Sequence, residues 1–232
     1  MLKIEKTQVV GWEAAIRGMR NPYDSWEKSD SLFIGFDFCD EKEEMQLALT
    51  CGGKAPILKE NDLTLMKKLA KAGSVHGKFM RMLIVTADIT APLYWWKEYD
   101  TYKVGTVANS CSTMHTITKK HLTMEDFSTD HLNNSSKFIL QGNIDFMNAH
   151  IDAYNAHPEN EKARKEIWWQ IIKLLPESYN QKRTLMLNYS VLANIYHYRK
   201  DHRLDEWHTF CDWIEKLPYS ELITGKDTAS DG

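Results

Sequence analysis

The chain has 232 residues, 43% of them hydrophobic, which is enough for one sizeable core or two small ones. With 29 Lys+Arg against 32 Asp+Glu the formal charge is −3, so no basic field calls for nucleic acid. Four cysteines without a C-x-x-C pair argue against a zinc site or a disulfide framework, and no apolar run approaches the roughly 18 residues of a membrane span.

In chain order, residues 2–10 ("LKIEKTQVV") alternate as a first strand. "GWEAAIRGMRNP" is a short helix or turn ended at Asn21-Pro22. From 23 to 58 the pattern is weak and reads as surface loop, without a functional assignment. "ENDLTLMKKLAKAG" has a polar start, apolar residues at 63, 65, 66, 69 and 70, and Gly73 as a stop, so a helix is expected there. Residues 78–90 ("KFMRMLIVTADIT") read as a strand, and Pro92 opens a helix through "LYWWKEYDTY". "VGTVANS" is extended or irregular. Long helices are expected over 133–157 and over "ENEKARKEIWWQIIKLL", the latter stopped by Pro176. A strand over 182–188 and helices over 188–200 and 204–218 complete the chain before a polar tail. No repeat, low-complexity tract or linker divides it. The expectation is one α+β domain over 1–222, strands mostly in the first half, a helix-rich second half, and a disordered tail at 223–232. The charged N-terminus is not a signal peptide, and a reducing cytoplasm fits the sparse cysteines.

The chemistry-bearing residues are scattered. No G-x-G-x-x-G, Walker A, H-E-x-x-H or G-x-S-x-G is present, and His197 and His202 are five apart, a poor metal spacing; no metal site is expected. Eight Trp and ten Tyr come in clusters (Tyr94-Trp95-Trp96, Trp168-Trp169, Trp207 with Trp213), which point first to core or an oligomer interface and second to a flat heterocycle. The run Asn109-Ser110-Cys111-Ser112-Thr113 puts hydroxyls, an amide and a thiol beside the tryptophans. It is either a tight structural crossing or the lining of a ligand site. Lys103 is a compact cation suited to a phosphate or a ring carbonyl, and equally a solvated surface lysine. Asn188 stands where an ordinary helix N-cap would stand.

Taken together, two segments resemble the flavin-dependent thymidylate synthase family. In "LLPESYNQKRTLMLNYSVLANIYHYRK", Leu175-Pro176 is followed after eleven residues by Asn188, then by Asn194 and Arg199, which is similar to the family's "LP … N-x-R-x-L-x-N-F-x-x-x-R" segment. "GSVHGKFMRMLIVTADITAPLYWWKEYDTYKVGTVANSCSTMH" resembles the run from "H … F-E-H" to the R-H-R-x7-S signature. Thr101-Tyr102-Lys103 then stand at R-H-R, and either Cys111 or, with a one-residue insertion that also matches Asn109, Ser112 stands at the serine.

The resemblance implies a mixed fold of that family's type, FAD as cofactor, and NADPH with methylenetetrahydrofolate if the protein is active. It implies Asn188, Asn194, Tyr102 and Lys103 at the flavin, and Arg199, Glu98 and Asn109 at a pyrimidine deoxynucleotide. Ser112, Cys111 and Lys103 fall at the catalytic wall, and a homotetramer whose subunits share each pocket is implied. The departures are charged ones. R-H-R is absent, and family arginines are replaced by Ile172, Ser190 and Thr113 or Met114. A charge-assisted bond to a phosphate contributes ~1.5–3 kcal/mol, so losing two or three weakens substrate binding on the order of a thousandfold or more. The alternative function is a non-catalytic nucleotide-, flavin- or partner-binding module on the same fold.

Overall fold

The computed structural model describes residues 2–33 and 56–226. It contains one four-stranded antiparallel sheet, β1 (Lys3–Val10), β2 (Ile84–Pro92), β3 (Val107–Ser110) and β4 (Asn180–Asn188), in the order β1-β2-β4-β3. The helices of the described residues are α1 (Trp12–Arg20), α2 (Glu60–Lys71), α3 (Leu93–Tyr99), α4 (Thr113–Thr116), α5 (Asn134–Ala156), α6 (Glu161–Leu174), α7 (Tyr189–Arg199), α8 (Asp205–Glu215) and α9 (Glu221–Thr224). This is the mixed, helix-rich second-half architecture expected. β2 alternates strictly, with Val85, Ala87, Ile89 and Ala91 turned inward, because a two-residue period puts every second side chain on one face.

Two expected boundaries shift. Residues 77–81 form a 3-10 turn, so β2 starts at Ile84 and not at 78. Phe79 and Met80 are buried from that turn, which satisfies the same apolar residues without extending the strand. The helix after Pro92 ends at Tyr99, where the Thr101 hydroxyl donates to the Glu98 carbonyl (2.7 Å) and closes the last turn. Of the expected loop over 23–58, residues 34–55 lie outside the described residues; Leu32 and Ile57 pair as an isolated antiparallel bridge. Of the tail, residues 227–232 lie outside them too.

The residues group into two compact units. The first unit contains Thr90–Thr101 and Asn109–Arg183. Its core is written in α5, where Leu140, Ile144, Met147 and Ile151 recur at helical spacing and pack with Ile117, Leu122, Phe127 and Ile171. Asn133 and Asn160 cap α5 and α6, their side-chain oxygens accepting from the Ser136 and Ala163 N–H groups. Trp95, Trp96 and Tyr99 form a second, fully aromatic cluster with ring centroids 4.9–5.4 Å apart. Trp95 and Trp96 are therefore core.

The second unit contains Ile4–Ile89, Tyr102–Ala108 and the chain from Thr184 onward. Its core gathers Trp12, Met66, Tyr189, Trp207 and Phe210, with Trp12 edge-on to both Tyr189 and Tyr219. A buried charge node braces it. Asp62 is wholly buried and accepts from Arg20 Nε (2.7 Å), from the Ser29 and Ser31 hydroxyls and from the Asp30 and Ser31 N–H groups. In return the Asp30 carboxylate accepts from the Asn61 and Asp62 N–H groups at the start of α2. Burial alone would raise the Asp62 pKa, but the bonds from Ser31, Ser29 and Arg20 outweigh it and hold the carboxyl below its ordinary range.

Candidate functional site

In the second unit, β4 runs into α7 at Asn188. Asn188 is buried and is the N-cap, its Oδ1 accepting from the Val191 N–H at 3.0 Å. The loop through Tyr102–Thr106 approaches this cap at Gly105, whose φ of +78° is the left-handed region that glycine adopts without steric cost. A Cβ there would meet a Val191 methyl at 3.1 Å and Asn188 Nδ2 at 3.2 Å. Asn194 is on the exposed side of α7, so its amide is open to a ligand, whereas the Asn188 oxygen is already used by the cap.

Arg199 ends α7 half-buried. Its Nε donates to the Tyr102 hydroxyl at 2.8 Å, and its guanidinium carbon lies 4.7 Å from the Trp207 ring centroid and 5.5 Å from that of Tyr102. The rings of Tyr102 and Trp207 are themselves edge-on, 6.1 Å apart. Stacking of this kind orients a planar guanidinium, which an ammonium could not exploit equally. Lys103 is exposed, with no ion pair among the described residues. The structure thus brings together Tyr102, Arg199 and, through Gly105, Asn188. Trp207 belongs to this cluster; the sequence marks it only as one of the clustered aromatics, with no sign that it meets Arg199.

In the same unit a cavity of about 420 Å³ is lined by Lys67 and Lys71 of α2, Ser190 and Ala193 of α7, and the α9 segment. Lys67 Nζ lies 3.7 Å from Glu221, inside that lining.

The remaining residues singled out from the sequence belong to the first unit. Glu98 is half-buried near the end of α3, and Asn109 is exposed on β3. Cys111 is exposed; its N–H donates to the Lys182 carbonyl (2.8 Å), which pins the segment to β4, and its Sγ lies 3.9 Å from Thr116 Oγ1. Ser112 is the residue before α4, its carbonyl accepting from the Thr116 hydroxyl. Among the described residues no histidine or carboxylate bonds to the Cys111 thiol or the Ser112 hydroxyl.

Gln181 locks this segment from the other side, donating to the Cys111 carbonyl (3.0 Å) and to Thr113 Oγ1 (3.2 Å). Its Oε1 accepts from Arg183 Nε, and Arg183 also pairs with Asp100 (2.7 Å) and stacks 4.2 Å over Trp96. Around this clamp lies a cavity of about 300 Å³, with Cys111, Thr113, Thr116, Ile117, Tyr179 and Asn180 among its lining. The Tyr179 phenol is pushed up by burial and, to a smaller degree, by Asp126 and Cys111, so it stays a neutral hydroxyl at physiological pH. Neither Asn180 nor Gln181 had a sequence signal; both look like ordinary strand-start residues.

Among the described residues no group of three or more His, Cys, Asp or Glu could hold a metal ion, and no helix is long and apolar enough to cross a membrane.

No protein-family model matches the chain, and no curated protein does. Solved structures do. The chain is similar to thymidylate synthase ThyX from Helicobacter pylori crystallised with FAD and dUMP, at a TM-score of 0.64 and 14% identity, over 97% of this chain and 98% of that one. A second structure of the flavin-dependent thymidylate synthase ThyX of that organism, complexed with the same two ligands, matches at 0.62 and 14%, over 96% and 98%. At this identity the likeness establishes the fold.

Proposed function

We propose that the chain is a ThyX-like protein that binds FAD and a pyrimidine deoxynucleotide, with a degenerate catalytic motif. The observation that carries this reading is a fold shared over nearly the whole chain with proteins solved holding those two ligands. Under it, the exposed amide of Asn194 and the Tyr102–Lys103 loop beside Asn188 hold the flavin. Arg199, oriented by Tyr102 and Trp207, faces the nucleotide's anionic group, and Glu98 and Asn109 keep the nucleotide-contact roles that the resemblance implies. Cys111, Ser112 and Lys103 keep the catalytic roles that the resemblance implies. Flavin supplies hydride chemistry when bound; the side chains bind, orient and exclude water. The assembly under this reading is a homotetramer of 1–222 domains in the cytoplasm, with NADPH and methylenetetrahydrofolate as co-substrates if it turns over.

A second reading, a binding module without turnover, is favoured by one specific observation. Thr101-Tyr102-Lys103 replaces R-H-R, and the tyrosine's hydroxyl is bonded to Arg199. Purified protein with the absorption bands of oxidised flavin, further stabilised on heating by dUMP, supports the common core of both readings. Colourless protein whose melting temperature neither FAD nor dUMP raises overturns both. Anaerobic bleaching by NADPH that dUMP accelerates, and rescue of a thymidine-requiring bacterium, select the enzyme; their absence in a flavin-binding protein selects the module.

A further inference from the structure

Helix α5 carries a face that the packing of the first unit does not account for. One side of the helix feeds the core through Leu140, Ile144, Met147 and Ile151. The other side carries Phe138, Ile139 and Phe146, which are 81%, 72% and 41% exposed. A surface helix ordinarily shows charged and polar side chains to water there. Midway between the two phenylalanines, four residues from each, is Gly142. A glycine inside a helix costs ~0.5–1 kcal/mol relative to alanine. A Cβ at Gly142 would meet nothing within 4 Å, so no neighbour among the described residues calls for glycine at this position.

These features fit one occupant, a second copy of the same helix. Phe138, Gly142 and Phe146 are spaced i, i+4, i+8 and so form a single row on the helix surface. The row is symmetric about its glycine. A second copy laid antiparallel across Gly142 therefore sets Phe138 against Phe146 of the partner subunit, twice over, and the missing Cβ lets the axes approach the short end of the ~8–10 Å range. Charge selects the same direction. Lys137, five residues before Gly142, and Asp145, three after it, are both exposed. Antiparallel pairing brings them within about two residues of each other, ~3 Å along the axis, whereas parallel pairing opposes like charges. Area agrees as well. At ~200 Å² for a whole large side chain, the three apolar residues expose roughly 400 Å² per copy. Two copies together withdraw about 800 Å², within the apolar share of a stable ~1,200–2,000 Å² interface.

We infer that this face of α5 is a two-fold, antiparallel contact between two copies of the chain, centred on Gly142. The inference rests on no bound ligand. It deepens the homotetramer proposed above by assigning one of its interfaces to a particular row of one helix.

The test combines sedimentation velocity on the full chain with disulfide trapping. Expected are an even-numbered oligomer for the wild type and a halving of its mass in Phe138→Asp, with the circular dichroism spectrum unchanged. Gly142→Leu halves the mass too, because its side chain holds the two axes apart; at a merely exposed glycine, leucine leaves the mass as it was. Under oxidation Gly142→Cys gains a disulfide-linked dimer over the wild type, whose exposed Cys111 sets the background. Ser135→Cys, also exposed but seven residues from the centre, gains none, since antiparallel pairing separates its two copies by ~21 Å, beyond the reach of a disulfide. A dimer gained by Ser135→Cys, or none gained by Gly142→Cys, overturns the inference. So does an oligomer whose mass survives both Phe138→Asp and Gly142→Leu, and that result leaves the homotetramer standing on other faces. A monomeric wild type overturns this contact and the homotetramer together, without touching the reading of FAD and nucleotide binding, which is measured separately. Should Phe138→Asp not fold, the two cysteine variants decide by themselves.

Discussion

Two buried oxygen acceptors in this molecule meet the same physical problem in opposite ways. The Asp62 carboxylate accepts five hydrogen bonds, one from a guanidinium, two from hydroxyls and two from backbone N–H groups. The Asn180 oxygen accepts none among the described residues. Desolvation penalises both, yet at Asp62 the protein supplies every compensating donor and at Asn180 it supplies none among the described residues. The difference is one of cost: a saturated polar node braces the fold, whereas an unsatisfied atom, at Asn180 as at Trp12 Nε1, adds a desolvation penalty and stabilises nothing.

The sharpest way to break this contrast is to unsaturate the saturated node. Asp62→Asn leaves Arg20, 3% exposed, without its counter-charge. Removing one partner of a buried pair costs ~3–5 kcal/mol, the largest loss expected here, to be read from urea denaturation at pH 7. The pH dependence follows with a definite sign. Because the folded-state pKa of Asp62 is depressed, its contribution is complete above the unfolded value near ~3.9 and is lost as pH falls through the folded one. The stability gap between wild type and Asp62→Asn should therefore be constant from pH 7 to about 5 and close below ~4. A gap that does not narrow at all as pH falls below ~4 would show that the carboxylate's charge is not what the node depends on.

The next effect concerns two arginines, each stacked on a tryptophan. Arg183 over Trp96 is held by Asp100 and Gln181, a bracing role; Arg199 over Trp207 carries the nucleotide assignment. Arg199→Lys keeps the charge but gives up the plane that Tyr102 and Trp207 orient. A loss of ~1.5–3 kcal/mol, roughly 10–100-fold in dUMP affinity, is expected from calorimetry. Should Arg199→Lys bind dUMP as the wild type does, Arg199 is structural and its nucleotide assignment falls.

The legible parts of this protein were those in which one segment reports on itself. The α5 stripe, the cap at Asn188 and the strand ending there all follow from local period and capping chemistry. The 3-10 turn at 77–81 was not legible, because an apolar run buries equally well from a turn or a strand. Still less could local pattern reveal contacts between distant residues: Arg20 with Asp62, 42 positions apart, or Tyr102 with Arg199, 97 apart. Asn180 was invisible for a further reason. Its significance is the absence of a partner, and absence has no sequence signature.

The smallest effect tests whether the Tyr102–Thr106 loop must approach the α7 cap as closely as it does. Gly105→Ala places a Cβ at 3.1 Å from Val191 and 3.2 Å from Asn188 Nδ2, in a left-handed conformation that costs a non-glycine residue ~1–2 kcal/mol. Val191 is half-buried and can yield by a few tenths of an ångström, so the backbone term dominates and the fold survives. The melting temperature should fall by several degrees, corresponding to ~1–2 kcal/mol in a domain of this size, and FAD affinity should fall with it if the loop and the cap together hold the flavin. An unchanged FAD affinity alongside the expected loss of stability would confine Gly105 and the Asn188 cap to the architecture, and leave Asn194 as the amide the cofactor uses.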